Sequence, residues 1–221
     1  MVKIDRLASE WMLAQREFDT AVGVDWAGFC ERTQVLSSQV AAGSSWRNKT
    51  WNIFDVLGRP RLEDAHSRMI AWLLDPGKPH GLGDGFLRGF FKRVFGTTPP
   101  AGTSECLVTT KKRIKSGEVD IEVAGPRWWL IVENKIDWEE DDGQTEKYAM
   151  YYRQFSKLNS NLFLVLLSPQ GTHPKSPAFR AMSYRDLREV LEDVLELLRP
   201  AEEAEQLMRH FLQHILLEVE N

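Results

Sequence analysis

Apolar residues recur at helical spacing over most of the chain and at strand spacing in its centre. Between residues 9 and 42, Trp11, Met12, Phe18, Val22, Trp26, Phe29, Val35, Leu36 and Val40 fall mostly three or four apart, which predicts two helices with Gly23 as the break. The periodicity lapses over residues 42–50, a loop, and returns in a short helical turn over 51–57 that Arg59-Pro60 closes. Ala65, Met69, Ile70, Trp72, Leu73 and Leu74 predict a helix over 63–74, stopped by Asp75-Pro76-Gly77. Phe86, Leu87, Phe90, Phe91 and Val94 predict another over 85–95.

Beyond Pro99-Pro100 the pattern changes to a strand over 106–114, then a hairpin with strands 118–123 and 128–136 about a turn at 124–127. A helix over 143–158 follows. The wholly apolar run 162–167, bounded by Asn159-Ser160-Asn161 and Ser168-Pro169, reads as a strand covered on both faces. Residues 170–177 form a loop and 179–182 a short edge strand, and two amphipathic helices, 184–198 and 202–219, finish the chain.

The 221 residues are 43% hydrophobic and 27% charged, which supports a folded core and excludes a disordered tail. Apolar runs such as 128–132 and 162–167 fall well short of the ~20 residues needed to cross a bilayer. No apolar leader stands near the N-terminus, where Lys3, Asp5, Arg6 and Glu10 intervene, so the expected location is cytoplasmic. Two cysteines, Cys30 and Cys106, cannot build a zinc knuckle and are expected as free thiols. Against 28 Lys plus Arg stand 32 Asp plus Glu, a net charge of −4, so a polyanion would have to be held by local patches or by metal ions.

The central hairpin carries the most informative charges. Five apolar residues, 128–132, precede Glu133 and Lys135, which a period of two places on one face. A turn centred between Gly125 and Pro126 sets Asp120 opposite Ile131, on that same face, so Asp120, Glu133 and Lys135 converge. Two carboxylates beside an amine suit a hard divalent cation and a phosphodiester. The competing reading is a cross-strand salt bridge at a sheet edge, and a one-residue slip in register would turn Asp120 away.

Four ordered blocks surround that pattern: Leu62 to Pro76 with His80-Gly81 after it, Gly117 to Val123, Val132-Glu133-Asn134-Lys135-Ile136, and Gly143 to Tyr148. Together they resemble the PD-(D/E)XK nuclease superfamily, its bacterial branch above all. The resemblance implies an α/β restriction-endonuclease-like core, a central mixed sheet flanked by helices, over residues 51–183. Residues 1–50 would then be a helical arm, and residues 184–221 helices packed on the core. It implies Mg²⁺ or Mn²⁺ held by Asp120, Glu133, the main-chain carbonyl of Asn134 and Glu63, with Lys135 orienting water or stabilising the transition state. Gln144 and Tyr148 match the Gln-x-x-x-Tyr pair of RecB-like nucleases and share a helix face at i and i+4. Glu63 as a helix N-terminal charge and Tyr148 as a core residue are the plainer alternatives. Val119 stands where the signature has proline, which leaves the carboxylate in place.

The function so implied is metal-dependent phosphodiester hydrolysis, on DNA before RNA, with defence against foreign DNA a common role in the superfamily. A homodimer that cuts both strands, and an effector held silent until a partner or signal arrives, are both compatible with it. A non-catalytic nucleic-acid-binding or protein-interaction module keeping the fold is the rival from another class.

Several weaker signals remain. Lys111, Lys112, Arg113 and Lys115 form a basic cluster suited to a phosphate backbone or to protecting a sheet edge. His66 lies one turn beyond Glu63, with a backbone or solvent bond its ordinary fate. His210 and His214 read as helix surface, and residues 80–85 as a flexible connection bordering the cleft. The acidic run from Asp137 to Asp142 fails the EF-hand pattern, with Asp142 where glycine belongs, and suits a helix N-terminus better. Trp46, Trp51 and Trp138 could stack on bases, with core packing the default.

Overall fold

The computed structural model describes residues 52–56, 63–136, 143–156, 161–198 and 200–220. Residues 52–54 and 58–221 group into one compact unit, and 1–51 with 55–57 into another. The expected N-terminal helices, Cys30, Trp46, Trp51 and Trp138, and the acidic run lie outside the described residues.

Five strands form one sheet in the order β1 (Leu107–Ile114), β2 (Gly117–Gly125), β3 (Trp128–Asn134), β4 (Asn161–Ser168) and β5 (Arg180–Ser183). β1, β2 and β3 are antiparallel neighbours, whereas β3, β4 and β5 run parallel. The helices are α1 (Ile53–Val56), α2 (Glu63–Leu74), α3 (Gly85–Phe95), α4 (Gln144–Ser156), α5 (Tyr184–Leu198) and α6 (Glu202–His214). A mixed sheet with helices on both faces is the α/β restriction-endonuclease-like architecture, and α4 supplies the crossover that parallel β3 and β4 require.

The wholly apolar centre of β4, residues 162–167, separates two cores, as its composition requires. Val165 and Leu167 join Ile70, Leu73, Phe90, Leu191 and Phe211 on the side of α2, α3, α5 and α6. Leu164 and Leu166 meet Tyr148, Ala149 and Tyr152 of α4 on the other. Helix α3 stops at Gly96, whose left-handed conformation (φ 69°) lets its N–H bond the Lys92 carbonyl. The expected final helix divides at its end: α6 stops at His214 and Ile215–Val219 continues as a π turn.

The hairpin register differs from the expected one. Gly125 pairs with Trp128 and Ile121 with Val132, so the turn centres between Pro126 and Arg127. Extended by one step, that register sets Asp120 across from Glu133 and not from Ile131. The partner moves by two residues, so side-chain parity is kept. A second irregularity lies on the other side of β2. The ladder pairs Thr110 with Ile121 and Lys112 with Val119 but omits the rung between Lys111 and Asp120, and Lys111 has φ 53°. Alternation inverts there: Ile121 lies in the larger core and Val119 in the smaller one. Among the described residues no helix is long and apolar enough to cross a membrane.

Candidate active site

The site lies where β2 kinks and β3 ends. Asp120 and Glu133 are both buried, with 3% and 1% of their surface exposed, so each carboxylate needs partners at this depth. Asp120 accepts from Lys111 Nζ at 2.7 Å through Oδ1 and from the Asn134 N–H at 2.8 Å through Oδ2. Lys111 Nζ also lies 2.8 Å from Asp64 Oδ1, so one ammonium joins the start of α2 to β2. Lys135 Nζ lies 3.2 Å from Glu133 Oε1 and 3.9 Å from Glu63 Oε2, a second bridge of the same kind. Glu63 Oε1 takes the Ile136 N–H at 3.0 Å.

Helix α4 closes the other side. Gln144 Nε2 donates to Glu133 Oε1 at 2.6 Å and to Tyr148 Oη at 3.0 Å, while the Tyr148 hydroxyl donates to the Glu118 carbonyl at 2.6 Å. The i and i+4 spacing therefore delivers one side chain to the carboxylate and the next to the strand behind it. Gly117 is required there, because a Cβ on it would stand 3.0 Å from Tyr148 Oη, and its φ of 145° disfavours other residues.

Charge in this enclosed space shifts proton affinities. Burial, and then the Asp120 charge, push the Glu133 carboxyl well above the usual carboxylate range, against the pull of Lys135 and Lys111. Burial works against the Lys135 ammonium, but Glu133, Glu63 and Asp120 outweigh it and keep the group charged. The same balance, set by hydrogen bonds to Asp120 and Asp64, holds Lys111 charged.

The donor set fits a hard divalent cation on two counts. It consists of oxygens, and two of them are stranded: among the described residues, Glu133 Oε2 and Gln144 Oε1 are buried without a hydrogen-bond partner. Among the described residues no three Asp, Glu, His or Cys side chains yet converge as a ready cage. The two lysines stand between the acids that would form one.

Seven residues singled out in the sequence, Glu63, Asp120, Glu133, Asn134, Lys135, Gln144 and Tyr148, are thus brought together. The basic cluster is divided. Lys111 turns into the site, Lys112 pairs with Glu122, and only Arg113 and Lys115 point outward, Arg113 with Glu118 at 3.5 Å.

The histidines depart from expectation. His66 faces away from the carboxylates and lies Nε2 to Nε2 3.0 Å from His214. His214 is correspondingly buried and not helix surface, because it continues the apolar stripe of Met208 and Phe211 beneath Phe54. His210 is only partly buried, with Asn52 Nδ2 donating to its carbonyl at 2.7 Å. The loop after α2 is pinned, with His80 buried, bonded to the Asp75 carbonyl at 2.8 Å and accepting the Leu82 N–H at 3.0 Å.

Sequence reasoning missed Asp64, Ser67 and Tyr184. Asp64 had a signal, a second acid beside Glu63. Ser67 Oγ accepts from Asn134 Nδ2 at 3.1 Å, and Tyr184 donates its hydroxyl to Asn134 Oδ1 at 2.7 Å. Nothing local marks either as part of a site.

A model of the PD-(D/E)XK nuclease superfamily matches residues 51–213, well over half of the chain. The chain belongs to the PD-(D/E)XK nuclease superfamily. No curated protein and no solved structure matches it. In this PD-(D/E)XK chain the matched span contains the kinked hairpin, the acids of α2 and the Gln144–Tyr148 pair. Membership makes it one of a superfamily of nucleases, whose substrates are nucleic acids.

Proposed function

We propose that the protein is a metal-dependent nuclease that hydrolyses phosphodiester bonds of DNA in preference to RNA. Its catalytic core would be residues 51–183, acting in the cytoplasm. The observation that carries this reading is the stranded Glu133 Oε2, buried beside Asp120 with the Lys135 ammonium 3.2 Å from its sister oxygen.

Asp120, Glu133, Glu63 and the Asn134 carbonyl would hold Mg²⁺ or Mn²⁺, which supplies polarisation of the phosphate and acidification of a water when bound. The chain's own groups do the rest. Gln144 fixes the Glu133 carboxylate by donating to Oε1. Asn134 N–H fixes Asp120 in the same way. Lys135, held between Glu133 and Glu63, presents a charged donor that can orient the attacking water or offset charge building on the phosphate. Low exposure keeps bulk water from screening these charges.

The test is incubation with supercoiled plasmid, linear duplex, single-stranded DNA and RNA in Mg²⁺, Mn²⁺ or EDTA, beside Glu133→Ala. Metal-dependent loss of DNA that vanishes in the variant supports the reading. Loss of RNA alone corrects the polymer. Silence on every substrate favours an effector gated by a partner or signal, as in defence against foreign DNA, or a binding module without turnover.

A further inference from the structure

One polar cluster lies outside the proposed catalytic set. On the α4 face of the sheet, Glu122 is buried, with 3% of its surface exposed. Lys112 Nζ bonds its Oε1, and the Tyr152 hydroxyl donates to its Oε2 at 2.5 Å. Burial, then the hydrogen bond and charge of Glu122, raise the Tyr152 phenol well above its ordinary value, so it stays protonated and donates. A cleft of about 140 Å³ opens at this carboxylate, lined by Lys112, Glu122, Trp129, Tyr151 and Tyr152. The Tyr151 and Tyr152 rings stand nearly perpendicular, 84° apart with centroids 5.1 Å apart.

We infer that this cleft is a nucleobase subsite with a preference for guanine, a reading that rests on the proposed nuclease function and gives it a substrate contact beside the catalytic hairpin. Its chemistry is that of a flat group with a donor edge. Trp129 and Tyr151 supply aromatic surface for stacking, which tolerates any base. The carboxylate supplies selectivity. An ionised carboxylate has about four lone-pair sites, of which, among the described residues, Lys112 takes one on Oε1 and Tyr152 one on Oε2. Guanine presents two adjacent N–H donors, N1 and N2, that meet two such oxygens together. Thymine and uracil present one N–H flanked by carbonyls that the carboxylate repels, and adenine and cytosine present a single amine.

Placement agrees with this chemistry. Two of the lining groups follow a proposed catalytic one along the same element: Glu122 lies two residues beyond Asp120, and Tyr152 lies one helical turn beyond Tyr148. Those steps are about 7 Å along a strand and about 6 Å along a helix, the scale of a neighbouring nucleotide. A base seated in the cleft would therefore belong to a nucleotide next to the one whose phosphate meets Lys135.

The experiment is an NMR titration of the wild-type protein in EDTA with guanosine, inosine, cytidine and thymidine 5′-monophosphates. The probe is the Trp129 indole N–H signal, assigned by its loss in Trp129→Phe. Guanosine monophosphate is expected to shift that signal at millimolar concentration, with inosine monophosphate, which lacks the N2 amine, several-fold weaker and thymidine monophosphate about tenfold weaker. Glu122→Gln should abolish the preference. Tyr151→Leu, at a half-buried position, should weaken every nucleotide alike and leave the order intact, so the proposal stays testable if Glu122→Gln fails to fold. No shift with any nucleotide, or equal affinity for all four, overturns the subsite and leaves a structural ion network only. The readout needs neither metal nor turnover: a protein that binds guanosine monophosphate and cuts nothing keeps the subsite and favours the gated effector or the binding module over a constitutive nuclease, whereas one that cuts DNA and binds no nucleotide here keeps the nuclease reading and loses the subsite.

Discussion

The Asn134 N–H donates to Asp120 Oδ2 at 2.8 Å, locking the end of β3 to the kink of β2. The Asn134 side chain continues the lock, donating to the Glu63 carbonyl at 3.2 Å and to Ser67 Oγ, and accepting from Tyr184. One asparagine therefore ties two strands, α2 and α5 into a single support for the carboxylates. Tyr184→Phe would leave Asn134 Oδ1 buried without its donor. Such a loss costs about 1–3 kcal/mol, and a urea melt should show a lower midpoint with an unchanged slope.

Asp120→Ala and Glu133→Ala should each abolish cleavage while circular dichroism and the unfolding transition stay cooperative. Wild-type turnover by either variant would remove the assignment.

Lys135→Ala should separate binding from chemistry. Its Mn²⁺ affinity, measured by calorimetry, should persist, whereas kcat falls by a factor of about 100 or more, the usual cost of one transition-state donor. Unchanged kcat would exclude Lys135 from the reaction.

Lys111 reports on competition. Its ammonium lies within 2.8 Å of both Asp120 and Asp64, where a divalent cation would meet a resident positive charge. Lys111→Met should raise Mn²⁺ affinity several-fold in the absence of nucleic acid, and an unaltered or weaker affinity would show that the bridge does not compete.

Glu133 sets the pH dependence. Its carboxyl is raised in the folded chain, chiefly by burial, so below the raised value the native state holds a proton that the unfolded chain releases above its ordinary carboxylate range. Stability in EDTA should fall as pH rises between those two values, and Glu133→Gln should flatten that fall. Metal affinity should rise over the same interval, because the ligand must be ionised. A thermal-shift series across pH with and without Mn²⁺ reads both.

The sequence by itself determined the order and type of the five strands and the longer helices. α2 and α5 begin and end where the apolar period places them, because long amphipathic stretches declare their buried face locally. It also put Asp120 and Glu133 on one face despite the misjudged turn, since a two-residue shift preserves strand parity. Tertiary structure decided the rest. Only chain packing could turn Lys111 inward through a positive φ, bury His214 against His66, and bring Tyr184, fifty positions away, onto Asn134. Periodicity records which face of an element avoids water. Which partner a buried polar group finds there depends on distances between elements, and a linear pattern carries none of them.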